Sequence, residues 1–166
     1  NLLTDESKKA RLLAESGISV LYVLPFDESV AGMPKADFID EIIVRRCRAV
    51  EVVVGHDFRF GKGAEGDYEF LEAYCRGFGI AVGQVPPVQV DGERVSSTLV
   101  RECLLQGDIH RAAQLLGRRY SIAGQVVQGR GIGAGLGYPT ANIKPHHSAV
   151  PAQGVYAARA WVQDKG

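Results

Sequence analysis

The sequence has few cysteines, no excess of either charge and no long apolar run, and each of these features excludes something. Its three cysteines, Cys47, Cys75 and Cys103, are widely spaced and odd in number, which favours reduced thiols in an intracellular protein over a disulfide framework. The 19 basic and 19 acidic residues cancel, so the chain has no overall attraction for nucleic acid or an anionic membrane. No apolar run approaches the length that a bilayer requires. We therefore expect a cytoplasmic protein whose partners are small molecules or other proteins, not nucleic acid or membrane.

The N-terminal part of the chain alternates between strand-like and helical segments. Apolar runs typical of buried parallel strands lie at residues 18–24, 50–54 and 80–85. Apolar residues recur at helical spacing after Pro34 and over residues 67–76. This alternation predicts an open α/β layer with a parallel sheet, in which ligands bind beyond the carboxyl ends of the strands.

The pattern changes after Gly117. Residues 97–116 predict two short helices, whereas two later segments alternate in the manner of strands, at residues 120–127 and 155–162. We therefore predict a domain boundary here, with an α/β domain over residues 1–117 and a β-rich domain over residues 118–166.

The segment after the second predicted strand carries an acid, a base and two aromatic rings. Aromatic rings can stack on the ring of a ligand, and the polar side chains can read its edge. The alternative is an ordinary turn between a strand and a loop, in which the histidine has a structural partner. The candidate residues are Gly55, His56, Asp57, Phe58 and Phe60.

Hydroxyl groups and arginines surround the start of the helix predicted after residue 96. Ser97 and Thr98 can bind a phosphate together with the N–H groups of the first helical turn. Arg101 lies one turn further along the same helix face, and Arg94 approaches from the preceding segment. The alternative is an ordinary hydroxyl cap beside a solvated arginine.

A loop over residues 129–137 is too rich in glycine for a tight hairpin, and glycines let backbone amides approach a polyphosphate closely. Its spacing matches neither the Rossmann nor the P-loop fingerprint. Pro139 then fixes the backbone, and Thr140 and Asn142 offer oxygen atoms that suit Mg²⁺ held mostly by phosphates. The alternative is a mobile loop that ends in a Thr/Asn turn. The candidate glycines are Gly129, Gly131, Gly133, Gly135 and Gly137.

A series of short motifs covers nearly the whole chain. They are Gly55-x-Asp57-Phe58-Arg59-Phe60-Gly61, Pro86-Pro87, Arg94-Val95-Ser96-Ser97-Thr98-x-x-Arg101, Leu116-Gly117-Arg118-x-Tyr120-Ser121-Ile122, Gly137-Tyr138-Pro139-Thr140-Ala141-Asn142 and Gly154-Val155-Tyr156-Ala157. In order and spacing they resemble the prokaryotic bifunctional riboflavin kinase/FMN adenylyltransferase family, also called FAD synthetase. The resemblance implies a Rossmann-like nucleotidyltransferase domain that joins FMN to ATP, giving FAD and pyrophosphate, and then a β-barrel kinase domain that phosphorylates riboflavin with ATP.

The same resemblance implies roles for the candidate residues. The segment from Gly55 to Phe60 would line the adenylylation cleft. In the kinase half, the glycine loop and Pro139 would cover the nucleotide phosphates, and Thr140 and Asn142 would bind Mg²⁺. The ATP phosphates of the adenylylation reaction would be held by Arg94, Ser97, Thr98 and Arg101.

The sequence departs from the family pattern in three ways. None of its four histidines stands in the His-x-Gly-His loop of the nucleotidyltransferases. The catalytic glutamate of the kinase is expected further along than Gly166, and Ala134 stands where the family often has a basic residue. Both ends of the sequence look cut, so we expect the catalytic groups to lie outside these residues, which alone should neither phosphorylate riboflavin nor make FAD at a useful rate.

Two other interpretations remain open. Another α/β nucleotidyltransferase fused to an unrelated barrel explains residues 97–101 but leaves residues 139–142 without a role. A non-catalytic module that binds flavin or nucleotide is consistent with the missing catalytic groups. A complete reading frame with a His-x-Gly-His loop upstream and a glutamate-containing strand downstream would favour the bifunctional enzyme.

Overall fold

The computed structural model describes residues 2–146 and 149–162, which contain short helices and strands in two compact units. One unit comprises Asn1–Ser19 with Val90–Gly166, and the other comprises Val20–Gln89. Among residues 2–146 and 149–162, no helix is both long and apolar enough to cross a membrane. In chain order the elements are α1 (Glu6–Glu15), α2 (Glu28–Ala31), α3 (Lys35–Phe38), a π-helical segment (Ile39–Arg46), β1 (Glu51–Gly55), a 3₁₀ turn (Lys62–Ala64), α4 (Tyr68–Arg76), β2 (Ala81–Val85), β3 (Gln89–Val90), β4 (Glu93–Arg94), α5 (Ser97–Gln106), α6 (Ile109–Leu116), β5 (Gly124–Val127), α7 (Ile132–Gly135) and β6 (Asn142–Pro145).

The unit of residues 20–89 contains a parallel strand pair. β1 and β2 run side by side in register, from Glu51 opposite Ala81 to Gly55 opposite Val85. Helix α4 lies between them in the chain, as a parallel connection requires. The predicted strands at residues 50–54 and 80–85 are therefore confirmed, and so is their parallel pairing.

The core of this unit is built from the apolar faces predicted from helical spacing. Ile39 in the π-helical segment and Leu71 and Cys75 in α4 are fully buried. Asp67 caps α4 by accepting a hydrogen bond from the backbone N–H of Phe70 at 3.0 Å. The cap and the buried face together fix the helix against the strands.

Two predicted strands do not form. Residues 18–24 have no regular secondary structure, and Val20 is 80% exposed. Residues 155–162 are likewise irregular, and Trp161 is exposed. A strand requires a neighbour to bond its backbone N–H and C=O groups, and no described segment pairs with either run. The prediction of strands at these positions was wrong because apolar pattern alone does not supply a neighbour.

Helices α5 and α6 pack together in the other unit, as residues 97–116 predicted. Gly107 ends α5 with a left-handed backbone (φ 79°), and Asp108 then caps α6 by accepting from the N–H of Arg111 at 2.9 Å. The buried residues of this core come mainly from the two helices: Val100, Cys103, Leu104, Ala112, Leu115 and Ala149.

The strands of this unit form two small sheets. β5 and β6 pair antiparallel, with Val127 opposite Asn142. Each of these two strands pairs only with the other among the described residues, whereas a barrel needs strands bonded on both edges. The described part of the predicted β-rich domain is thus a hairpin and not a closed barrel.

Replacing Leu104 by alanine is expected to destabilise the protein by about 2–5 kcal/mol, since its side chain is 0% exposed and truncation leaves a cavity. The next residue provides a matched control, because Leu105 is 71% exposed in the same helix. Leu105→Ala should change stability by less than about 0.5 kcal/mol. Urea unfolding followed by circular dichroism measures both, and equal losses would contradict the described core.

Candidate functional site

Polar groups collect at the carboxyl end of the parallel strand pair, where the sequence predicts a binding loop. After β1 the chain turns, and the N–H of Phe58 donates to the carbonyl oxygen of Gly55 at 3.1 Å. His56 Nε2 lies 3.9 Å from Asp57 Oδ2, and Gln84 Nε2 donates to the His56 carbonyl oxygen at 3.3 Å. The loop is thereby tied to both strands, with His56 and Asp57 adjacent to each other.

The two aromatic rings of this loop have different surroundings. Phe60 is 6% exposed, and its ring packs between Phe58 and Phe38 at centroid distances of 5.5 and 5.4 Å. Gly66 covers it so closely that a Cβ there would lie 2.7 Å from the ring. Phe60 is therefore a core residue that supports the loop, and Phe58 is the half-buried aromatic side chain next to the polar groups.

The start of α5 has a cap that the sequence prediction did not identify. Ser96, not Ser97 or Thr98, is the capping residue, and its Oγ accepts from the N–H of Leu99 at 3.1 Å. Capping therefore does not occupy the exposed hydroxyls of Ser97 and Thr98. Arg101 is half-buried on the same helix face. This arrangement can receive an anion at the positive end of the helix.

The predicted adenylylation residues belong to both units. Those from Gly55 to Phe60 lie in Val20–Gln89, whereas Arg94 to Arg101 lie in the unit that contains Val90–Gly166. All residues of each group lie within a single unit. The predicted role of both groups in one reaction stays a prediction.

A hairpin immediately before α5 was missed from the sequence. The strands β3 and β4 pair across Asp91 and Gly92, both of which have a left-handed backbone (φ 53° and 80°). Asp-Gly between apolar and extended residues is the usual signal for such a turn, and it is present in the sequence. Arg94, one of the predicted phosphate contacts, belongs to the second strand of this hairpin.

Arg111 of α6 holds this hairpin. Its guanidinium donates to Asp91 Oδ2 at 2.6 Å, to Glu93 Oε2 at 2.5 Å and to the carbonyl oxygen of Val90 at 3.2 Å. The side chain is only 19% exposed. The hydrogen bonds to Glu93 and then Asp91 raise the pKa of Arg111 above its ordinary value.

The glycine loop and the predicted metal ligands meet around one small cavity of about 140 Å³. The short helix α7 gives the loop a defined shape, which the sequence did not predict. A Cβ on Gly133 would collide with the carbonyl oxygen of Tyr138 and press tightly against the side chain of Thr140, and a Cβ on Gly129 would collide with the side chain of Asn142. The residues that line the cavity are Arg130, Gly131, Ile132, Gly133, Thr140 and Asn142.

The donor atoms at this cavity suit a Mg²⁺ ion that is held only in part by protein side chains. Thr140 and Asn142 offer a hydroxyl and an amide oxygen, which are hard ligands. The described residues contain no group of three or more His, Cys, Asp or Glu side chains that could hold a metal by themselves. The pair Thr140 and Asn142 suits an ion that receives most of its ligands from nucleotide phosphates and water.

Comparison with known proteins identifies the family. A family model described as FAD synthetase matches residues 1–99, and a second, described as riboflavin kinase, matches residues 116–166. The first match covers more than half of the sequence, so the chain belongs to the FAD synthetase family. The second match makes an unrelated barrel after residue 117 a poorer explanation of the sequence.

Curated relatives carry both activities in their names. The bifunctional riboflavin kinase/FMN adenylyltransferase of Escherichia coli (strain K12) is 36% identical over 155 residues, which are 93% of this chain and 50% of the relative. The Haemophilus influenzae protein of the same name is 34% identical over 91% of this chain and 49% of its own length. The chain thus spans about half the length of the curated relatives it matches.

A solved structure has a similar fold. The crystal structure described as a macrolide-efflux protein from Streptococcus pneumoniae superposes with a TM-score of 0.83 and 33% sequence identity. The match covers 93% of this chain and 49% of the other. The arrangement of helices and strands is therefore shared well beyond the individual motifs.

Proposed function

We propose that this chain supplies the nucleotide-binding parts of a bifunctional enzyme that phosphorylates riboflavin to FMN and adenylylates FMN to FAD. Residues 1–117 would belong to a Rossmann-like adenylyltransferase domain and residues 118–166 to a β-barrel riboflavin kinase domain. The ligands are riboflavin, FMN, FAD and ATP, with Mg²⁺ as the metal, and the enzyme acts in the cytoplasm. The observation that carries the proposal is the cavity that the glycine loop shares with Thr140 and Asn142.

In the kinase reaction, a riboflavin hydroxyl oxygen bonds to the γ-phosphorus of ATP, the bond to ADP breaks, and the hydroxyl proton passes to a base. Most of the catalysis in such reactions is positioning and charge neutralisation. Gly131 and Gly133 let the loop backbone approach the phosphates, and Arg130 adds a positive charge at the same cavity. Bound Mg²⁺ supplies charge neutralisation at the phosphates, and Thr140 and Asn142 are the residues that would hold it.

In the adenylylation reaction, a phosphate oxygen of FMN bonds to the α-phosphorus of ATP and pyrophosphate leaves. The first turn of α5 offers backbone N–H groups and the hydroxyls of Ser97 and Thr98 to the phosphates. Arg101 and Arg94 neutralise charge from the helix face and from the hairpin. The loop after β1, with His56, Asp57 and Phe58, would bind the adenine or flavin ring.

The proposal is tested with the protein expressed from its complete reading frame. Incubation with riboflavin, ATP and Mg²⁺, followed by chromatographic separation of flavins, should give FMN first and FAD later. A complete protein that binds flavin or nucleotide but converts neither riboflavin nor FMN would favour the non-catalytic binding module instead.

A pair of glycines in the loop gives a sharper test of the kinase half. We expect Gly133→Ala to lower riboflavin phosphorylation at least about tenfold, because the added Cβ would displace Thr140 and the Tyr138 carbonyl. Gly135→Ala is the matched control, since a Cβ there meets no described atom within 4 Å outside its own turn. Its activity should stay near that of the wild type in the same steady-state assay, and equal losses would contradict the loop geometry.

A further inference from the structure

We propose that Arg111 is a positioning residue for ATP in the adenylylation reaction, acting through the hairpin that carries Arg94. The inference rests on the proposed function and adds a residue that the sequence motifs do not contain. Arg111 lies in α6, 20 residues after Asp91 and 18 residues after Glu93, the two carboxylates that it binds. It therefore connects two segments that only the tertiary structure brings together.

Arg111 contacts the hairpin at three points. One guanidinium binds a carboxylate on the turn, a carboxylate on β4 and a backbone carbonyl on β3. Because the guanidinium is planar and rigid, contacts from its two terminal nitrogens to three acceptors fix the hairpin in orientation as well as in distance. A lysine carries its three donors on one nitrogen at the end of a flexible stem, so it lacks the rigid fork that holds these acceptors and replaces the contacts only in part.

The hairpin is directly connected to the proposed phosphate contacts. Arg94 ends β4, and only Val95 and Ser96 separate it from the first residue of α5. Val90 and Val95 pack against the core cluster that contains Val100 of α5. A hairpin that shifts on α6 would therefore move Arg94 relative to Ser97 and Thr98, which must converge on the same phosphates.

The hairpin also carries negative charge. Asp91 and Glu93 place two carboxylates close to Arg94 in the chain, where they would repel the phosphates of ATP. Arg111 binds both of them and so neutralises part of this negative charge. Loss of Arg111 would thus have two effects in the same direction: a displaced hairpin and two uncompensated carboxylates.

The experiment compares Arg111→Ala and Arg111→Lys with His110→Ala, an exposed neighbour on the same helix, in the protein from the complete reading frame. For Arg111→Ala we expect kcat/KM for ATP in FAD formation to fall about 10- to 100-fold, mostly through KM. Arg111→Lys should retain more of this kcat/KM than Arg111→Ala but less than the wild type. Riboflavin phosphorylation should stay near wild type in Arg111 variants that circular dichroism shows to be folded, as should all properties of His110→Ala.

A second variant keeps the test valid if Arg111→Ala does not fold. The double variant Asp91→Asn/Glu93→Gln removes the charges that Arg111 binds, and combining it with Arg111→Lys should give less than the product of the separate effects. Wild-type KM for ATP in a folded Arg111 variant, or equal loss of both activities, would overturn the positioning role. Failure of the wild-type protein itself to form FAD would instead overturn the proposed function.

Discussion

Arg101→Ala is expected to lower FAD formation about 10- to 100-fold and to leave riboflavin phosphorylation unchanged. A hydrogen bond between charged groups contributes about 1.5–3 kcal/mol, which corresponds to that range of rates. Arg101 is half-buried on the face of α5 that also carries Ser97. Because the two reactions use different phosphate contacts, the effect should be confined to one of them.

The measurement is steady-state formation of FMN and FAD by the complete protein, with each flavin quantified separately. Arg76→Ala is a suitable control, because Arg76 is an exposed helical arginine whose ion pair with Glu72 is long, at 3.9 Å. It should leave both activities near wild type. Loss of both activities in folded Arg101→Ala protein would rule out two separate nucleotide sites.

Thr140→Ala should give the reverse result, with riboflavin phosphorylation reduced about 10- to 100-fold and adenylylation of supplied FMN unchanged. The substitution removes the hydroxyl at the cavity beside the glycine loop. Even residues that only orient metal ligands affect activity by that much. Phosphorylation assays at increasing Mg²⁺ should show partial recovery, because a weakened site fills at higher metal concentration.

Thr140→Ser is the matched control for this prediction. Serine keeps the hydroxyl and removes only the methyl group that packs near Gly133. It should retain most of the kinase activity, whereas a packing role for Thr140 would make the serine variant as weak as the alanine variant. That second outcome would remove Thr140 from the proposed metal site.

Much of the fold followed from local pattern. The helix pair after residue 96 was predicted because Gly107 and Asp108 are a strong stop and start signal, and the structure has both caps. The parallel pairing of β1 and β2 followed from two short apolar runs separated by a helical segment. These features could be predicted because their determinants lie within a few residues of each other.

Part of the candidate site was also predictable. Glycine spacing followed by Pro139, Thr140 and Asn142 indicated a loop that meets oxygen ligands, and both line one cavity. The different surroundings of Phe58 and Phe60 after β1 were harder to predict, because the sequence shows only two similar aromatic residues. Only packing against Phe38 and Gly66 distinguishes the buried Phe60 from the half-buried Phe58.

The paired helices after residue 96, the parallel strands β1 and β2 and the family of the chain could all be inferred from sequence alone, because stop signals, apolar runs and motif spacing are properties of neighbouring residues. Tertiary structure alone decided which apolar runs find a strand partner, and residues 18–24 and 155–162 find none among the described residues. Tertiary structure alone also decided that Ser96 caps α5 and that Arg111 binds the hairpin that precedes α5. Those outcomes depend on residues distant in the chain, or on competition between adjacent hydroxyls that only the folded backbone resolves.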